Sequence, residues 1–246
     1  MRMLMSALFA ALLLLGFSCA QDPLSSPVQP PAQTTPQPPW QIVMYNFSTS
    51  VQTTYSLSTY PPGAGTLPGG GAWFNFPTYP NAAAAVQENS VIRLIKYYDT
   101  PQSFTDYKDL WVYLTVQTQG SPEFFWKTEA DNTCDAPASV RPTFFAWVDF
   151  SFEFVPTDEW WSHMVSYTLA PGSATLGVPF SPDQWSDALG SFANFDEETL
   201  SGFDYSLSNL HGIGLSLGGG CDYGHGVSIV GAGEAKFVLT SLTPTD

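Results

Sequence analysis

The sequence predicts an all-β fold: a β-sandwich jelly roll with one or two short helical turns. Three observations carry that expectation. Short runs alternate apolar and polar residues, the period of a half-buried strand. Turn residues separate the runs, and the chain holds 20 Gly and 21 Pro. There is no long amphipathic helix and no internal repeat. Eight or more short strands joined by Gly/Pro turns bury their apolar faces best as a sandwich or jelly roll.

The first twenty residues, MRMLMSALFAALLLLGFSCA, read as a secretory signal, with one arginine, an apolar run and small residues. The apolar run from Leu4 to Phe17 is too short for an ordinary membrane-spanning helix. Two endings fit. Ser18 and Ala20 suit cleavage before Gln21, whereas LGFSC resembles the lipobox of bacterial lipoproteins, which implies a lipid on Cys19. Residues 21–39, QDPLSSPVQPPAQTTPQPP, cannot form a core and read as a Pro-rich stalk. In polyproline II form, at about 3.1 Å per residue, it would reach roughly 60 Å. A stalk has most use when its start is fixed, which favours lipidation. The expected location is outside the cell, secreted or held at the cell surface or outer membrane. Residues 40–246 are left as the sandwich domain.

The chain of 246 residues is 44% hydrophobic and 15% aromatic but only 12% charged, which is ample material for a core. Its net charge of −15 repels phosphate backbones and anionic membrane surfaces, so nucleic acid is excluded as a partner. Neutral ligands and cations remain. Of the three cysteines, Cys19 leaves with the signal or carries lipid. In an oxidising compartment Cys134 and Cys221 are then expected to pair. Closing so long a loop is worth about 4 kcal/mol in the chain-entropy view.

From Trp40 onward the elements follow in order. QIVMYNF is a short strand, and residues 61–80 read as a long Gly/Pro loop with aromatics. VIRLIKYYD is a strand. DLWVYLTVQTQ alternates cleanly, with Leu110, Val112, Leu114 and Val116 on one face and Trp111, Tyr113, Thr115 and Gln117 on the other. EFFWKTEA follows. TFFAWVDFSFEFV is expected to put Phe144, Ala146, Val148, Phe150, Phe152 and Phe154 on the core side, and Phe145, Trp147, Asp149, Ser151 and Glu153 outward. EWWSHMVSYTL, GIGLSLGG, GVSIVG and AKFVLTSL complete the strands. SPDQWSDALG predicts a helix of two or three turns, with Ser181 as N-cap, Pro182 at the first position and Gly190 as the stop.

The succession DLWVYLTVQTQ, EWWSHMVSYTL, VPFSPDQW, LSNLHGIGLSLGGG and AKFVLTSL resembles the galactose-binding-domain-like jelly rolls, which include several carbohydrate-binding modules. The resemblance covers roughly residues 85 to 242. It implies a sandwich fold and, by analogy, a non-catalytic glycan-binding role.

Sugars present apolar C–H faces rimmed by hydroxyls, so aromatics beside amides and carboxylates suit them. Trp111, Tyr113 and Gln117 on one strand, with Trp147 and Asp149 on another, form the candidate ligand platform, provided the two strands are neighbours. The alternative is that these aromatics are covered, by the 61–80 loop or in a second small core. Asp149 and Glu153 are four residues apart, about 13 Å, too far for a glycosidase pair. Catalytic residues are therefore not assigned. His211, Asp222 and His225, with Cys221, are the candidates for a transition metal, and the acidic loop holding Glu129, Asp131, Asn132 and Asp135 is a candidate for calcium. No motif demands a cofactor. In GGGCDYGHGV the glycines read as a tight connection, Cys221 as half of a disulfide and His225 as a turn residue. Three functions stand: a surface module that binds glycan or another envelope component, a structural accessory subunit of an envelope protein complex, and a secreted metal-dependent redox enzyme.

Overall fold

A computed structural model describes residues 39–46, 51–78, 90–126, 136–146, 156–219 and 224–246, which fold as an all-β sandwich. The strands are β1 (Trp40–Asn46), β2 (Val51–Ser56), β3 (Ala64–Thr66), β4 (Ala72–Asn75), β5 (Ser90–Gln102), β6 (Asp109–Gly120), β7 (Glu123–Phe125), β8 (Ala138–Phe145), β9 (Glu159–Ser162), β10 (Tyr167–Thr168), β11 (Gly172–Pro179), β12 (Trp185–Asp187), β13 (Leu210–Gly219), β14 (Ser228–Val230) and β15 (Gly233–Thr245). Among the described residues there is one α-helix, α1 (Glu197–Ser208), which leads into β13.

The large sheet runs β12-β9-β8-β13-β5-β1-β2, with β10 also paired to β8; the small sheet runs β11-β6-β15-β4-β3; β14 and β7 form a separate pair. Every strand pairing is antiparallel. The sheets bury their facing sides against each other. Ile42, Leu94, Val140, Leu215 and Leu217 of the large sheet meet Val112, Leu114, Val116, Phe237 and Leu239 of the small one. At one end, Phe203 and Leu207 of α1 join Leu110, Phe144, Trp160, Val178 and Trp185 in a second cluster.

Four expectations change. The 61–80 segment is not a covering loop: β3 and β4 extend the small sheet beyond β15. The helix expected over 181–190 is a single 3-10 turn, Pro182–Gln184. Trp185 then leaves it in extended form, because β12 pairs with β9 and the indole is fully buried, stacked on Phe180 and donating from Nε1 to the Pro179 carbonyl. Conversely, α1 has three turns where no helix is expected. Its signal is Asp196, whose carboxylate accepts the Thr199 N–H while the Thr199 hydroxyl accepts the Asp196 N–H. Finally, Phe145 does not face solvent. All eight residues of β8 are buried, and Phe145 packs with Val43, Ile92 and Ile95 on the outer side of the large sheet.

The N-terminal segments 1–38, Cys134, Cys221 and their expected disulfide lie outside the described residues. So do Trp147, Asp149, Glu153, Asp222 and the acidic loop.

Candidate aromatic platform

Strand β6 is central in the small sheet, between β11 and β15, and its alternation holds. Leu110, Val112, Leu114 and Val116 are buried. Trp111 and Tyr113 point away from the core and stay 37% and 45% exposed; Gln117, further along, is exposed too. The aromatics are therefore not core residues in disguise.

Their neighbours follow from register. Trp111 lies between Gly177 of β11 and Thr243 of β15, and Tyr113 between Thr175 and Ser241. Thr115 lies beside Ser173, their hydroxyls 2.8 Å apart. The centre of this face is thus two aromatics among hydroxyls, with no charge. Charged residues stand at its ends: Asp109 starts β6, and Lys236 and Glu234 are paired with Gln117 and Gln119. Asp109 and Glu234 are ten rows apart, about 33 Å, so they cannot act as a glycosidase pair.

A third aromatic belongs to the face and escapes the sequence reading. Trp73 on β4 sits across Val238 from Thr115, with the Lys236 ammonium 3.9 Å from its ring centroid. The available signal was the period of two in AWFN, where Ala72 and Phe74 are buried and Trp73 and Asn75 are not. Both indoles lie against glycines of the next strand. A Cβ at Gly177 would fall 2.8 Å from two carbons of the Trp111 ring, and a Cβ at Gly65 would fall 2.8 Å from Trp73 Nε1. With no side chain beneath, each ring can lie flat on the sheet.

Trp147 and Asp149, the other half of the expected platform, lie outside the described residues; what the structure shows is the strand order on which their grouping depended. β6 belongs to the small sheet and β8 to the large one, so the strands carrying Trp111 and leading to Trp147 are not neighbours. The far face of the large sheet holds instead a buried polar tract. On β13 the positions facing that side are Gly212, Gly214, Ser216 and Gly218, which alternate with core residues Ile213, Leu215 and Leu217. Across this low floor Arg93 of β5 reaches Glu159 of β9, with 2.5 Å between guanidinium nitrogen and carboxylate oxygen. Burial pushes the Glu159 carboxyl up, against the pull of Arg93. Arg141 donates to the carbonyl of Ser162 at 2.9 Å. His163 is held below its ordinary pKa by burial and by the Arg141 charge.

His211 and His225 are not brought together, and Cys221 and Asp222 lie outside the described residues. His211 precedes Gly212 at one end of β13, whereas His225 lies beside the other end, where the Gly226 N–H donates to Leu217 O. Six residues of strand separate them, about 20 Å. Among the described residues no three His, Cys, Asp or Glu side chains are placed to hold a metal. No described helix is long and apolar enough to cross a membrane.

A groove of about 460 Å³ lies beside β7, lined by Phe124, Phe125, Trp126, Pro137 and Pro171. Its tryptophan is buried, with Nε1 committed to the Ala136 carbonyl. Trp126 is a wall, where Trp111 is an exposed surface. Compared with protein families, curated proteins and solved structures, the chain matches none.

Proposed function

We propose that this protein is a non-catalytic binding module for a neutral glycan, and that the outer face of the small sheet is its binding surface. The observation that carries the reading is the pairing of Trp111 and Tyr113, solvent-facing about 7 Å apart on one strand, in a field of serine and threonine hydroxyls. Aromatic rings bury the C–H faces of sugars, and hydroxyls and the Gln117 amide exchange hydrogen bonds with the rim. A protein of net charge −15 that keeps the centre of one face uncharged is suited to a ligand without charge. The resemblance to carbohydrate-binding modules supports the same class. The signal-like N-terminus and the LGFSC stretch support an exported module, tethered through Cys19 by its Pro-rich stalk.

Titration against a panel of neutral cell-wall and storage polysaccharides tests the reading. Trp111→Ala and Tyr113→Ala should each weaken binding by about 1–3 kcal/mol, with the melting temperature close to that of the parent. A parent protein that binds none of the panel, or variants that bind as tightly as the parent, would remove the proposal. Co-purification of the parent with an envelope protein complex, lost in the same variants, would support a structural subunit in its place.

A further inference from the structure

Charge is distributed very unevenly along this chain. Residues 23–87 contain no Asp, Glu, Lys, Arg or His, although the whole protein carries a net −15. The described part of that stretch builds β1 to β4, so it supplies one edge of each sheet: β2 closes the large sheet and β3 the small one. The strands that build this flank therefore carry no charge of their own, and the charges that neighbouring strands bring onto them, Lys96 over Trp40 and Lys236 over Trp73, are cationic.

The edges differ in how they are guarded. An edge strand offers unpaired N–H and C=O groups to any other chain, and proteins blunt it with prolines, charges, bulges or shortness. β12 and β3 have three residues each. β11 ends in Pro179 and carries Gly172 and Gly177. β2, VQTTYS, has none of these guards: no charge and no proline, and its six residues pair with β1 without a register shift. Its side chains are exposed on both faces, with Tyr55 half-buried and Val51 50% exposed. A strand wet on both sides buries little, and among the described residues nothing pairs with its outer edge.

We infer that β2 is the pairing edge of a homodimer, in which β2 of a second copy adds antiparallel and joins two large sheets into one. The occupant follows from electrostatics. A positively charged partner would be drawn to the acidic surface elsewhere, whereas two acidic copies repel each other least where the strands carry no acidic side chain, which is this flank. Antiparallel pairing about a two-fold axis is self-complementary. Centred on Thr53 or Thr54, it sets threonine against threonine, a favourable cross-strand pair. This contact is independent of the glycan platform, which lies on the outer face of the other sheet.

Sedimentation of the purified protein across a concentration series tests the inference. The parent should move from the mass of one chain to the mass of two. Added salt should tighten the dimer, because it screens the repulsion between acidic copies and removes no attraction. Thr53→Lys combined with Thr54→Lys should hold the protein at the single mass with an unchanged melting temperature, since both side chains are exposed. Thr53→Cys or Thr54→Cys should cross-link two copies under mild oxidation, where the parent does not. A parent that stays at the single mass throughout overturns the inference, as does a doubly lysine-substituted variant that dimerises as tightly as the parent.

Discussion

The Trp111 indole lies against the backbone of Gly177 on the neighbouring strand, so close that a Cβ at Gly177 would fall 2.8 Å from Cη2 and Cζ3 of the ring. Real Cβ contacts do not come this near, so any larger residue must lift the ring. Gly177→Val should therefore weaken glycan binding about as much as Trp111→Ala, by about 1–3 kcal/mol. Valine is the better strand former, so stability should hold or rise slightly. Calorimetric titration and thermal melting of the same sample separate the two effects. Unchanged affinity would show that the flat ring is not what the ligand meets.

The Arg93–Glu159 pair makes a prediction with a definite sign. Both side chains are nearly buried, and their contact crosses β8 and β13 over the glycine floor. Arg93→Met leaves a buried carboxylate alone and should cost about 3–5 kcal/mol. Arg93→Met with Glu159→Leu should recover most of that loss, because neither charge is then buried. Burial raises the Glu159 carboxyl in the fold and Arg93 pulls it down, so removing Arg93 leaves the effect of burial unopposed. The single variant should thus regain stability as pH falls into the carboxylate range and lose it as pH rises. Urea midpoints at several pH values check this; a single variant with no such trend contradicts it.

Some of this was readable in the sequence. DLWVYLTVQ betrays β6 because the strand is dry on one side and wet on the other, so the pattern records the environment directly. The same reading fails for β8, which is buried on both faces, so Phe144 and Phe145 are equally apolar and the alternation carries no orientation. The local helix signals at Ser181, Pro182 and Gly190 lose to the packing of Trp185, which only the folded neighbours Phe144 and Phe180 reveal. Trp111 and Tyr113 could be found from their strand alone. Grouping them with Trp147 and Asp149 needed the strand order, and that is set by contacts distant in sequence. α1 was hidden by Gly202 and three serines, which weaken its apolar pattern.

Gly202 makes its own prediction, against helix propensity. Alanine in a helix interior is better than glycine by about 1 kcal/mol, so Gly202→Ala would ordinarily stabilise. Here a Cβ would fall 2.5 Å from Thr157 Cβ, in the 3-10 turn Pro156–Asp158 that α1 packs on. That turn is fixed in turn by the Thr157 carbonyl, which accepts from Trp160 Nε1 at 2.8 Å and from the Ser206 hydroxyl at 3.0 Å. It cannot retreat without breaking both bonds. Gly202→Ala should lower the melting temperature, and adding Thr157→Gly should restore part of the loss by vacating the space. A stabilised single variant would mean that the turn yields freely.

Three tyrosines, Tyr60 buried and Tyr97 and Tyr98 half-buried, should limit the stability of the fold at alkaline pH. Burial raises the Tyr97 and Tyr98 phenols from 10.0 to about 12, with Arg93 opposing at Tyr97 and Tyr107 adding at Tyr98. Burial drives Tyr60 upward as well, and its hydroxyl donates to the Asn75 carbonyl. In each case the folded state holds the neutral phenol, whereas the unfolded chain ionises near its ordinary value. A raised pKa contributes stability that is fully present below the unfolded value and is lost as pH climbs through the folded one. On this account the urea midpoint should be flat up to about pH 10, then fall steadily toward pH 12. Phenolate absorbance from these residues should appear together with unfolding. Tyr98→Phe removes one ionisable group from the cluster it shares with Phe104, so the fall above pH 10 should be shallower. A midpoint that stays level between pH 10 and 12, with phenolate forming in the folded protein, would show that these rings are not sealed from water.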